Sequence, residues 1–219
     1  ALEIAQQQEG AGLTRKAILT RYVLANPYIW LLSLCYVLVY VVRAAINDWG
    51  NLYMSETLGV DLVTANSAVT MFELGGFIGA LVAGWGSDKL FNGNRGPMNL
   101  IFAAGILLSV GGLWLMPFAS YVMQAASFFT TGFFVFGPQM LIGMAAAECS
   151  HKEAAGAATG FVGLFAYLGA SLSGWPLAQV MDIWHWTGFF VVIAIAAGIS
   201  ALLLLPFLNA QAPRTASEA

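Results

Sequence analysis

Six long apolar runs dominate this chain, and each reaches the roughly 20 residues a helix needs to cross about 30 Å of hydrocarbon. They fall at residues 28–49, 63–85, 98–116, 121–147, 154–181 and 186–208. Lipid offers no partner for backbone N–H and C=O groups, so only helices and closed barrels can span it. A barrel would show weakly alternating segments of about 10 residues. The runs here are continuous and rich in Leu, Ala, Gly and Phe. They predict an all-α membrane protein with six transmembrane helices over 27–208, a cytoplasmic linker and lead-in over 1–26, and a polar cytoplasmic tail over 209–219. Composition agrees: 59% of residues are apolar and only 9% charged, against about a quarter charged in soluble domains.

Lys and Arg are retained on the cytoplasmic side of a membrane, so the basic residues set the orientation. Arg15, Lys16 and Arg21 precede the first span, Lys89 and Arg95 follow the second, Lys152 the fourth and Arg214 the sixth. The alternate loops, around 51–62, 117–120 and 182–185, carry none. Both ends of this segment are therefore expected in the cytoplasm, with the bundle in a bacterial inner membrane. The first 15 residues are polar, lack an initiator Met and have no short apolar core, so they read as a linker cut from something longer rather than a cleavable signal. A short amphipathic helix is expected near residues 13–22.

A net charge of −3 with no basic patch beyond these topogenic clusters argues against a nucleic-acid partner. Cys35 and Cys149 lie far apart without paired spacing, which fits packing rather than a disulfide or zinc site. His151 and His185 are expected at opposite faces, so they cannot share a metal. No nucleophile meets a base, and an enzyme is a poor fit. Small residues at helical spacing, Gly75 with Gly79 and Gly156 with Gly160, predict close helix approach. The Gly-rich fifth span also reads as a helix that could bend or slide.

Polar groups inside the spans are expensive and therefore informative. Arg43 lies about 22 Å beyond Tyr28 along its helix, where a charge costs at least about 2.5 to 3.5 kcal/mol on insertion scales. Helical spacing puts Tyr36, Tyr40, Arg43 and Asn47 on one stripe, which suits an anion: a guanidinium keeps its charge and can bind two phosphate oxygens at once. The alternatives are that Arg43 reaches to the interface near Trp49, or pairs with Asp48 or Glu73 as a structural bridge. Glu73, mid-span, could carry a coupling proton or neutralise Arg43 when ligand is absent. Tyr167 and Gln139 are polar enough to line a cavity, though an interhelical contact explains each as well. Asp88 and Lys89, followed by Arg95, form a tight charged loop able to lock helix ends together and release them.

Several stretches together resemble the major facilitator superfamily and, within it, the organophosphate:phosphate antiporter family. They are Val39-Tyr40-Val41-Val42-Arg43 with Asp48-Trp49, Phe72-Glu73, Gly84-Trp85-Gly86-Ser87-Asp88-Lys89, Gly93-Asn94-Arg95-Gly96, Gly137-Pro138-Gln139-Met140-Leu141-Ile142-Gly143 and Gly163-Leu164-Phe165-Ala166-Tyr167-Leu168-Gly169. The resemblance implies the C-terminal half of a twelve-helix fold in which two arginines, one from each half, grip the substrate phosphate. Arg43 holds the C-terminal-half position, and its partner belongs to the missing N-terminal half of the polypeptide. Glu73 becomes the buried carboxylate of the second helix and Tyr167 a cavity residue. Phe136 stands where a glycerol-phosphate branch would carry Tyr, and Ala44-Ala45 replaces a bulkier pair, which points away from glycerol phosphate. Ser55-Glu56-Thr57-Leu58-Gly59-Val60, Met71-Phe72-Glu73-Leu74-Gly75-Gly76 and the terminal Asn209-Ala210-Gln211-Ala212-Pro213-Arg214 look like a regulatory branch of the family. That branch implies a receptor for external glucose 6-phosphate signalling through a membrane histidine kinase. The alternative is an antiporter exchanging a phosphorylated sugar for inorganic phosphate. Neither calls for a cofactor.

Overall fold

The computed structural model describes residues 14–116 and 120–208. The expected termini before residue 14 and after residue 208, with Arg214 and most of the loop at 117–120, lie outside the described residues. The helices are α1 (Arg15–Leu19), α2 (Pro27–Leu58), α3 (Leu62–Leu90), α4 (Arg95–Leu115), α5 (Tyr121–Glu148), α6 (Ala155–Leu172) and α7 (Trp175–Leu204). No strand occurs among the described residues.

Five segments are long and apolar enough to cross a membrane, the last of them running through Lys152–Leu208. That last segment is two crossings. His185 has φ 52° and ψ −147° inside α7, and the chain doubles back there. Before it, Trp30 stacks edge-on with Phe161 near the start of α2, while Trp49 donates to the Ser173 carbonyl further along the same helix. After it, Trp186 meets Tyr53 and Phe207 returns to Tyr28. Six crossings follow, as the apolar runs predict, with the fifth interrupted at Ser173 and Gly174 between α6 and α7.

The backbone at His185 occupies a region that is essentially glycine's, at a cost on the order of 1 to 3 kcal/mol for other residues. His185→Gly is accordingly expected to stabilise the bundle by about 1 kcal/mol, less than the full strain because glycine is more flexible when unfolded. Thermal unfolding of the detergent-solubilised variant measures this.

Local signals set the remaining ends. Asn26 caps α2 by accepting the Tyr28 N–H at 3.0 Å, and Gly59, at φ 66°, ends it by donating to Ser55. The apolar run stops at Trp49, yet the helix continues because Tyr53 and Met54 bury one face against its neighbours while Asn47, Asp48 and Asn51 occupy others. Asn94 caps α4 through the Gly96 N–H at 3.1 Å.

The closest contact is between α3 and α5. A Cβ on Gly75 or Gly79 would strike the carbonyls of Phe129 or Phe133, and one on Gly132 would strike that of Phe72. Gly169 of α6 meets Val37 of α2 in the same manner. Gly156 and Gly160 do not act this way: no described atom lies within 4 Å of where their Cβ would stand, so they bring no described helix close. Their spacing matches Gly75 and Gly79, but their face of α6 is open.

The lead-in is helical over α1 and continues as a π turn through Thr20–Leu24. Ile18 and Val23 bury into one cluster with Ile142, Ala145, Ala146 and Ala158. Cys35 is buried, and its thiol approaches the Ser200 carbonyl at 3.7 Å. Cys149, expected as a packing residue, is instead exposed, because it follows α5 where the chain leaves the bundle.

Candidate functional site

Arg43 emerges from the middle of α2 with its side chain 28% exposed. Its guanidinium carbon lies 4.7 Å from the Phe136 ring centre and 5.5 Å from that of Tyr40. A cation over an aromatic face is attracted by the ring quadrupole, so these two rings hold the charge in place without consuming a hydrogen-bond donor. Phe136 is itself fixed: it lies edge-on to Phe72 at 5.6 Å and fills the space left by the missing side chain of Gly76. Sequence reading treats Phe136 only as a departure from Tyr; nothing in its local pattern reveals that it underlies Arg43.

The carboxylate facing Arg43 is Glu73, not Asp48. Arg43 Nη2 and Glu73 Oε1 are 3.7 Å apart, within ion-pair range but beyond a good hydrogen bond. Arg43 Nε is buried and has no hydrogen-bond partner among the described residues. The guanidinium is therefore balanced in charge yet retains donor capacity. Asp48 accepts from Asn47 at 3.1 Å, and both residues are exposed one turn further along α2. Of the expected stripe, Tyr36 and Tyr40 remain with Arg43: their rings stand edge-on at 4.9 Å, and Tyr40 lies 6.5 Å from Tyr167. Tyr167 is 75% exposed on α6 and projects from the open face of the bundle. Gln139, directly after the proline within α5, has a buried Oε1 without a hydrogen-bond partner among the described residues.

A second polar constellation lies at the end of the bundle that carries the basic residues. Arg95 Nη1 donates to Asp88 and, at 3.0 Å, to Ser87, while its Nε and Nη2 reach Glu148 at 3.1 and 2.9 Å. One guanidinium thus ties the end of α3, the start of α4 and the end of α5. Burial opposes the Arg95 charge, but the hydrogen bonds and charges of Glu148 and Asp88 together outweigh it. Lys89 is exposed and forms no ion pair among the described residues. Glu148 is missing from the sequence-based candidates; its signal is a lone acid closing the Ala145-Ala146-Ala147 run, opposite the Asp88 to Arg95 loop.

At the far end a cleft of about 360 Å³ is lined by Trp49, Leu52, Glu56, Met181, Asp182 and His185, among others. Within it Trp186 donates to Glu56 at 2.9 Å, and Trp49 in its wall donates to the Ser173 carbonyl at 2.8 Å. Arg43 does not line it. The surroundings of Arg43 form an open face instead.

The sequence model described as the Major Facilitator Superfamily matches residues 3–174. The chain is 92% identical over 219 residues to the membrane sensor protein UhpC of Salmonella typhimurium (strain LT2), covering all of this chain and 50% of that protein. Against the membrane sensor protein UhpC of Escherichia coli (strain K12) it is 92% identical over 216 residues, or 99% of this chain and 49% of that one. It is 38% identical over 199 residues to the hexose-6-phosphate:phosphate antiporter of Escherichia coli (strain K12), covering 88% of this chain and 42% of the antiporter. The chain spans about half the length of the curated relatives it matches.

Proposed function

This chain belongs to the Major Facilitator Superfamily, and we propose that, joined to the other half of its polypeptide, it forms a transporter-like receptor in the bacterial inner membrane. The receptor binds external glucose 6-phosphate and signals to a membrane histidine kinase. The observation that carries the proposal is Arg43: a charged guanidinium held over Phe136, with a buried donor unpaired and its face open. Binding a phosphate on the open face would give the guanidinium a charge-assisted partner and displace the loose Glu73 contact. An arginine from the other half would complete the grip, and Tyr36, Tyr40, Asn47, Gln139 and Tyr167 would bound the sugar.

The sensing role rests on the 92% identity to proteins named membrane sensors, against 38% to the antiporter. The basic end, where Arg21, Lys89, Arg95 and Lys152 lie, faces the cytoplasm. There the Arg95 cluster with Asp88 and Glu148 holds three helix ends of this half together, and ligand shifts the balance between arrangements of the halves by binding one of them more tightly.

An antiporter exchanging hexose phosphate for inorganic phosphate is the second reading, favoured by the same Arg43 geometry and the antiporter likeness. Uptake of labelled glucose 6-phosphate by the full-length protein in phosphate-loaded proteoliposomes separates the two. The receptor predicts binding with uptake no faster than in empty vesicles. Robust exchange for phosphate assigns the antiporter instead.

A further inference from the structure

The lead-in and the Arg95 cluster share one short stretch of chain. Glu148, the last residue of α5, takes the Nε and Nη2 bonds of Arg95. The next carbonyl, that of Cys149, accepts from Asn26 Nδ2 at 2.9 Å. Two residues further, the His151 ring packs against Tyr22 with centres 5.1 Å apart. Asn26 also caps α2, and Trp30 Nε1 donates to the Leu24 carbonyl at 2.8 Å, so the strap over 14–26 is clamped at its C-terminal end. Its inner face is apolar and buried, with Ile18 and Val23 at 4% and 1% exposure. Its outer face presents Lys16, Leu19, Arg21 and Leu24 to the surroundings.

We propose that residues 148–151 are a lever through which the Arg95 ion-pair cluster controls whether the strap stays docked. The connection has no slack: three residues reach at most about 10 to 11 Å even when fully extended, and Glu148 adjoins Cys149 directly. A hydrogen bond of 2.9 Å is lost once the atoms part beyond about 3.5 Å. A backbone shift of about 1 Å at Glu148, enough by the same measure to free it from Arg95, therefore also suffices to break the Asn26 contact. With that contact and the Tyr22 stack gone, Ile18 and Val23 lose the surface that covers them. The strap then exposes apolar residues beside Lys16 and Arg21, on the end of the molecule where a cytoplasmic partner would read it. The trigger of this device rests on the ligand-driven shift proposed above; the mechanical coupling does not.

Hydrogen exchange of the full-length protein in lipid nanodiscs tests the coupling without ligand. Glu148→Gln is expected to speed exchange over residues 15–25 by about tenfold or more, with protection over 62–80 unchanged. Unchanged exchange over 15–25, whatever happens over 87–95, overturns the lever. If Glu148→Gln loses protection everywhere, Arg95→Lys decides, because it keeps the charge and removes the fork; a smaller acceleration over 15–25 is expected, and none overturns the proposal. A wild-type protein indifferent to glucose 6-phosphate, alongside accelerated exchange in the variant, refutes the ligand assignment while the lever stands.

Discussion

Gly79→Leu leaves little or no folded protein in the membrane. The side chain would have to occupy the place of the Phe133 carbonyl on α5. Backbone cannot rotate away as a side chain can, so α3 and α5 must separate along their length. Overpacking typically costs about 1 to 3 kcal/mol where neighbours can yield, and here the cost exceeds that range. Separation would also remove Phe136 from beneath Arg43, since Gly76 and Gly79 lie on adjacent turns of the helix that supports it. Gly111→Leu is the control. No described atom lies within 4 Å of its missing Cβ, so the change stays within about 0.5 kcal/mol. Fluorescent size-exclusion profiles of the two full-length variants make the comparison, and a monodisperse Gly79→Leu peak at wild-type yield would refute the close α3–α5 packing.

Arg43→Lys inserts and folds but loses most of its response to glucose 6-phosphate. A lysine keeps the positive charge beside Glu73 and over Phe136, so the ion pair persists. What disappears is the planar fork, including the buried Nε donor. Hydrogen bonds to charged groups contribute about 1.5 to 3 kcal/mol each, so losing one weakens affinity by about 10- to 150-fold. Calorimetric titration of the full-length variant gives the number, and wild-type affinity would return Arg43 to a purely structural role.

The crossings are legible in the sequence because lipid imposes a length and a composition on each helix independently of its neighbours. Where neighbours decide, the same reasoning weakens. The run ending at Trp49 understates α2, which continues to Leu58 because Tyr53 and Met54 bury against the bundle. Gly75 and Gly156 look alike in pattern, yet one meets a backbone carbonyl and the other meets nothing described. Arg43 is conspicuous as a charge inside a span, whereas its choice of Glu73 over Asp48 depends on how α3 lies beside α2. Glu148 is invisible until α5 is laid beside α4, and only then does Arg95 acquire its strongest partner.

Recognition of a phosphate through Arg43 can be read from displacement of bound labelled glucose 6-phosphate from the full-length protein. Unlabelled glucose 6-phosphate should displace the label fully and inorganic phosphate at higher concentration, while glucose should not displace it at any concentration the assay reaches. Displacement by glucose as effective as that by glucose 6-phosphate would rule out a site that reads the phosphate.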